Sequence, residues 1–83
     1  MKKNLYYADL LEIYGKMLTE KQFEPMRLYY HEDYSLSEIG RVLEVSRQAV
    51  LSALQFSEAK LDKLEKNIGF WQYLSNEKKT ETD

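Results

Sequence analysis

The sequence contains no cysteine, so a disulfide framework, a cysteine-ligated metal and a cysteine nucleophile are all excluded. It has one proline and three glycines in 83 residues, and its runs of alternating polarity are short. Few breakers and little period-two patterning predict an all-α chain. No apolar run approaches the ~18 residues that a membrane span requires. The opening stretch MKKNLYYADLLEIYG is not built like a secretory leader, because Asp9 and Glu12 interrupt its apolar residues. The expectation is a soluble cytoplasmic protein. A surplus of one charge is also missing. The net charge is −2, with six basic and eight acidic residues in positions 1–45 and six of each in 46–83. Neither half has the positive excess that phosphate neutralisation favours. That leaves room only for a small, local basic surface. No repeat of solenoid period is present.

What the sequence does have is a series of helix starts. The most informative stretch is Tyr34 to Leu61, YSLSEIGRVLEVSRQAVLSALQFSEAKL. Ser35 and Ser46 can each cap a helix through the side-chain hydroxyl. Glu38, three residues after Ser35, completes a capping box. Tyr34 with Ile39, and Val45 with Val50, have the spacing of hydrophobic staples. Two short-range starts this close together predict two helices joined by a turn at Leu43-Glu44-Val45. That is a helix-turn-helix over about residues 35–57, a motif whose second helix commonly enters a DNA major groove.

The flanks also read as helical. Asn4 can cap a helix over Leu5 to Tyr14, with an apolar stripe of Tyr7, Leu10 or Leu11, Tyr14 and Met17. Gly15 is a candidate left-handed stop. Thr19 with Gln22 forms a second capping box, and Leu18 with Phe23 a staple, for a helix running to about Tyr30. Pro25 lies beyond the first turn and is expected to distort or shift that helix start. In the third helix Ile39, Val42 and Leu43 are core candidates. Gly40 lets the two helices of the motif approach closely, at a cost of roughly 1 kcal/mol relative to alanine. From Ser46 no breaker occurs until Gly69. Leu54, Leu61, Leu64, Ile68 and Trp71 mark a seam, with Ser57 at a missing apolar position. The seam can fold back on the first helix or pair with a second subunit as a homodimer. Ser75 to Asp83, SNEKKTETD, is polar and aperiodic and is expected to be a mobile tail. The expected architecture is therefore one domain over residues 1–74 with four helices, the last one long. A domain of this size has a modest core, to which dimerisation would add.

Projected at about 100° per residue, the fourth helix turns Val50, Leu54, Ser57 and Leu61 inward. Its other side carries Arg47, Gln48, Leu51, Ser52, Gln55, Glu58 and Asp62. Arginine pairs bidentately with guanine and glutamine with adenine, so Arg47 and Gln48 are the candidate base readers, with Ser52 and Gln55 beside them. Ser46 and the free N–H groups next to it can seat a phosphate. Arg41, with Lys21 or Arg27, is a candidate backbone contact. Glu58 and Asp62 oppose phosphate. The alternative is that Arg47 and Gln48 form a solvated first turn, while Leu51, Phe56, Phe70, Trp71, Tyr73 and Leu74 supply a protein contact. His31, beside Glu32 and Asp33, lacks the further ligands a metal needs and is expected to lie in a solvated turn. The paired tyrosines 6–7 and 29–30 fit amphipathic helices, with rings packed inward. No nucleophile–base pair, glycine-rich phosphate loop or carboxylate pair stands out. Neither an enzyme nor a cofactor is expected.

The stretch LTEKQFEPMRLYYHEDYSLSEIGRVLEVSRQAV resembles region four of bacterial sigma factors, and more closely the YlxM family of small helix-turn-helix proteins. The shared residues are Leu18-Thr19-Glu20-Lys21-Gln22, Leu28-Tyr29-Tyr30, Asp33-Tyr34-Ser35-Leu36, Glu38-Ile39 and Val45-Ser46-Arg47-Gln48-Ala49-Val50, covering about 18–50. The resemblance implies a sigma-region-four-like helix-turn-helix in a regulatory protein of the bacterial cytoplasm that binds duplex DNA. It also implies a place in the signal recognition particle pathway, beside whose GTPase such proteins are often encoded. That makes a component of the particle a candidate partner. The sequence departs from the family at Pro25. It departs again at Leu51-Ser52-Ala53-Leu54-Gln55-Phe56, where the family has a polar, often basic stretch.

Overall fold

The structure is a computed structural model and describes residues 4–81. Its elements are α1 (Leu5–Tyr14), a 3-10 turn (Gly15–Met17), α2 (Glu20–Tyr30), α3 (Leu36–Leu43), α4 (Arg47–Ile68) and α5 (Phe70–Glu81). The first four α-helices begin where a side chain satisfies N–H groups that have no partner within the helix. Asn4 Oδ1 accepts from the Tyr6 N–H at 3.0 Å. The Thr19 hydroxyl accepts from the Gln22 N–H at 3.2 Å while Gln22 Oε1 accepts from the Thr19 N–H at 2.9 Å. Ser35 and Glu38 make the same reciprocal pair at 3.1 and 2.8 Å. Ser46 Oγ accepts from the Ala49 N–H at 3.0 Å.

The core is one cluster. Leu10, Leu11 and Tyr14 of α1 meet Met26, Leu28 and Tyr29 of α2, Leu36 and Ile39 of α3, and Val50, Leu54 and Leu61 of α4. Both Leu10 and Leu11 are buried, so the stripe of α1 is wider than either alternative by itself. The long α4 runs through the middle and packs against every other α-helix. Its seam folds back within the chain. Ser57, 1% exposed, is the close-approach point against α2, where its hydroxyl donates to the Gln22 carbonyl at 3.3 Å.

Several expectations from sequence need correcting. The described residues form five α-helices rather than four. Gly69 takes left-handed backbone at φ 72° and ends α4, and Phe70 starts a new helix. That helix takes in Ser75 to Glu81, the polar stretch that the sequence presents as a tail; positions 82 and 83 lie outside the described residues. Gly15 is right-handed at φ −55°, and its smallness serves packing instead: a Cβ would lie 2.9 Å from the Phe23 ring. α2 runs through Pro25 without a shifted start. The capping box holds the first turn at Thr19, and the proline ring is buried. Val42 is 56% exposed, because Leu36, Ile39, Gly40 and Leu43 share the inward side of α3 and Val42 lies more than a quarter turn away. Met17 and Ile68 are also exposed.

Candidate nucleic-acid interface

The turn of the motif is Glu44-Val45-Ser46, one residue later than expected. Glu44 takes left-handed backbone at φ 58°, a conformation that costs a non-glycine residue roughly 1–2 kcal/mol. Two hydrogen bonds help hold it there: the Glu44 and Val45 N–H groups both donate to the Gly40 carbonyl, the second at 2.9 Å. Gly40 permits this closeness. A Cβ on it would meet the Val45 carbonyl oxygen at 2.8 Å. The turn backbone therefore lies directly on α3, which sets the angle at which α4 leaves.

From that start α4 buries Val50 and Leu54 in the core and turns its opposite side to solvent. Ser46, Arg47, Gln48, Ser52 and Gln55 are all exposed, and so is Arg41 at the end of α3. Arg47 makes no hydrogen bond or ion pair among the described residues. The first turn of α4 contains no acidic residue, so the positive end of its dipole is not neutralised from within. The Ser46 hydroxyl is occupied by the Ala49 N–H, which leaves the Arg47 and Gln48 N–H groups facing outward.

The two acids expected to oppose phosphate are each hydrogen-bonded to a tyrosine, Glu58 half-buried and Asp62 exposed. Glu58 Oε2 accepts from the Tyr30 hydroxyl, and Asp62 Oδ2 accepts from the Tyr7 hydroxyl at 2.9 Å. Burial and the Asp62 hydrogen bond push the Tyr7 phenol up to about 12. Burial and Glu58 push Tyr30 well above the ordinary tyrosine range. Glu65, next along the same side, is 9% exposed and accepts from the Tyr14 hydroxyl at 2.7 Å. Burial raises its carboxyl, but Tyr14 and the Trp71 and Gln72 N–H groups outweigh that and hold it below the usual carboxylate range. Three carboxylates on α4 thus accept from tyrosines of α1 and α2: Glu65 is buried, Glu58 half-buried and Asp62 exposed. The tyrosine-rich composition is a packing device, in keeping with the rings expected to point inward.

Other candidates are sorted by the same contacts. Arg27 is held by Glu24, at 2.7 and 3.2 Å, and by Glu32 at 3.4 Å, so it is not a free cation for a backbone phosphate. Lys21 is exposed. Leu51 is half-buried against the core. The apolar contact surface expected from Leu51, Phe56, Phe70, Trp71, Tyr73 and Leu74 is divided. Trp71 packs edge-on to Tyr6 and donates from Nε1 to Asp9 Oδ2 at 3.2 Å, which docks α5 on α1. Phe70 and Tyr73 stack on each other and are exposed, as is Leu74. Phe56 is 64% exposed on a separate part of α4. His31 is exposed, with Nε2 3.4 Å from the Ala8 carbonyl. Among the described residues no group of histidines and acids could hold a metal, and no helix is long and apolar enough to cross a membrane.

Glu65 escaped notice in the sequence. Its one signal was its register, four residues after Leu61 on the buried side of α4. An acid there, followed by a glycine and a new apolar run, is placed to accept from the N–H groups of a following helix.

Residues 1–82 match the family described as "Putative helix-turn-helix protein, YlxM / p13 like". Among curated relatives, a UPF0122 protein of Lacticaseibacillus casei is 44% identical over 68 residues, 82% of this chain and 60% of the relative. One from Acetivibrio thermocellus is 45% identical over 62 residues, 75% of this chain and 53% of the relative. One from Geobacillus sp. is 40% identical over 78 residues, 94% of this chain and 71% of the relative. The chain thus spans only 60% and 53% of the length of the first two.

Proposed function

This chain belongs to the YlxM/p13-like helix-turn-helix family, and from that premise we propose that it is a regulatory protein that binds duplex DNA through α4. The observation that carries the proposal is the state of the first two turns of α4. Arg47, Gln48, Ser52 and Gln55 are exposed together, the helix start carries no acid, and Glu58 and Asp62 are each engaged by a tyrosine hydroxyl. Arg47 and Gln48 supply bidentate donors for guanine and adenine edges. Arg41, with the Arg47 and Gln48 N–H groups, contacts phosphate. With so few cations, binding is weak on random sequence and depends on the base contacts. A duplex-DNA target places the protein in the bacterial cytoplasm. The test is selection of genomic fragments at low salt, followed by anisotropy titration. Arg47→Ala weakens binding to the selected fragment by roughly 1–3 kcal/mol. Failure to retain any fragment at low salt overturns the proposal.

A second function is favoured by the exposed Phe56, Phe70 and Tyr73: a protein contact with a component of the signal recognition particle pathway, in place of sequence-specific DNA binding. In that case the protein co-elutes with the targeting GTPase, alone or with its RNA, and Phe56→Glu with Tyr73→Glu abolishes the co-elution.

A further inference from the structure

We propose that the groove between α1 and α5 docks a basic amphipathic helix of another protein. The groove has a volume of about 640 Å³, and its described lining includes no residue of α4. Its floor is apolar, formed by Ile13 of α1 with Trp71 and Leu74 of α5. Acids stand on both sides of it: Asp9 and Glu12 on α1, and Glu77 on α5. The described lining contains no lysine or arginine. His31, at one margin, lies beside the Ala8 carbonyl.

Two features identify the occupant. An apolar floor between two helices suits the apolar side of a third helix, the helix-in-groove mode of recognition. Glu12 and Glu77 have no hydrogen-bond or ion-pair partner among the described residues, so they remain available to lysine or arginine side chains flanking that apolar side. Asp9 already accepts from Trp71 Nε1 and shapes the floor. The same acids repel a nucleic-acid backbone or an anionic membrane surface, which separates this groove from the DNA-facing end. Arg47 and Glu65 are about 27 Å apart along α4 at about 1.5 Å rise per residue. DNA and the partner helix therefore do not compete for space, and the docking proposal stands without the DNA-binding one.

Trp71 is the only tryptophan in the chain and sits in the groove floor, so its emission reports occupancy directly. The probe is an amphipathic leucine–lysine peptide of about 18 residues with leucines at helical spacing. Its leucine–glutamate counterpart is the control. The leucine–lysine peptide is expected to shift Trp71 emission to the blue with saturation, and the leucine–glutamate peptide to leave it unchanged. Glu12→Lys with Glu77→Lys weakens binding by about tenfold or more, with an unaltered circular dichroism spectrum. Glu20→Lys with Glu44→Lys makes the same charge change elsewhere on the surface and is expected to retain binding within about twofold. Equal loss in both double variants, or an unmoved Trp71 emission at peptide saturation, overturns the proposal.

Discussion

The Tyr14 hydroxyl and the Glu65 carboxylate meet at 2.7 Å, although 51 positions separate them in sequence. Around this contact the last helix is anchored. The Phe70 N–H donates to the Tyr14 oxygen at 3.2 Å. The Trp71 and Gln72 N–H groups donate to the two Glu65 oxygens at 3.0 and 3.1 Å. The first turn of α5 is therefore capped by a buried acid on α4 and a phenol on α1. A helix start needs such acceptors, and here they come from other helices.

Glu65→Ala should release α5. Its N–H groups lose their acceptors and the Tyr14 hydroxyl is left without its carboxylate. Each buried polar group so stranded costs roughly 1–3 kcal/mol. The expected outcome is lower helicity by circular dichroism and a red-shifted Trp71 emission. Tyr14→Phe should do the same to a smaller degree.

Acid should have a related effect. The folded Glu65 carboxyl lies below the ordinary range while the unfolded one is ordinary. Its stabilisation is therefore complete above the unfolded value and is lost as pH falls through the folded one. Trp71 emission should report loosening of α5 only below the usual carboxylate range. Glu65→Gln should flatten that part of the profile.

Alkaline titration should separate the tyrosines. Tyr7 and Tyr30 are raised by burial and by their carboxylate partners, and burial likewise raises Tyr14. A raised folded value stabilises below the unfolded value of about 10 and is lost as pH climbs past it. Phenolate absorbance should show Tyr7 ionising only at about pH 12, and Tyr14 and Tyr30 above the ordinary tyrosine range, together with unfolding.

Gly40→Ala improves helix propensity by roughly 1 kcal/mol, yet it should destabilise the protein. The added carbon meets backbone, the Val45 carbonyl, at 2.8 Å, and backbone cannot swing aside as a side chain can. A net loss of about 1–3 kcal/mol is expected in urea unfolding. On the proposed function, binding to the selected DNA fragment should fall as well, because the departure angle of α4 changes.

Ser57 tests the seam. Ser57→Leu restores the apolar repeat in sequence but overfills a site that is 1% exposed, so a loss of about 1–3 kcal/mol is expected in urea unfolding. Ser57→Ala should be close to neutral. The Gln22 carbonyl it releases lies inside α2 and keeps its helical bond.

Helix starts and ends were largely legible in the sequence because caps are local chemistry. Asn4, Thr19 with Gln22, Ser35 with Glu38, and Ser46 each act within three residues. Gly69 was equally visible as a breaker, though not the helix that follows it. The outward position of Arg47 followed from the same periodicity. What only the tertiary structure decided is what each helix side faces. Along α4 the side that exposes Arg47 and Gln55 in its first turns meets tyrosines of α1 and α2 further on, at Glu58 and Asp62. A helical projection repeats every turn and carries no information about which neighbour lies beside it at each height. For the same reason it could not divide Trp71, docked on α1, from Phe70 and Tyr73, left in solvent. Gly15 beside the Phe23 ring and Glu65 beneath α5 likewise owe their roles to residues distant along the chain.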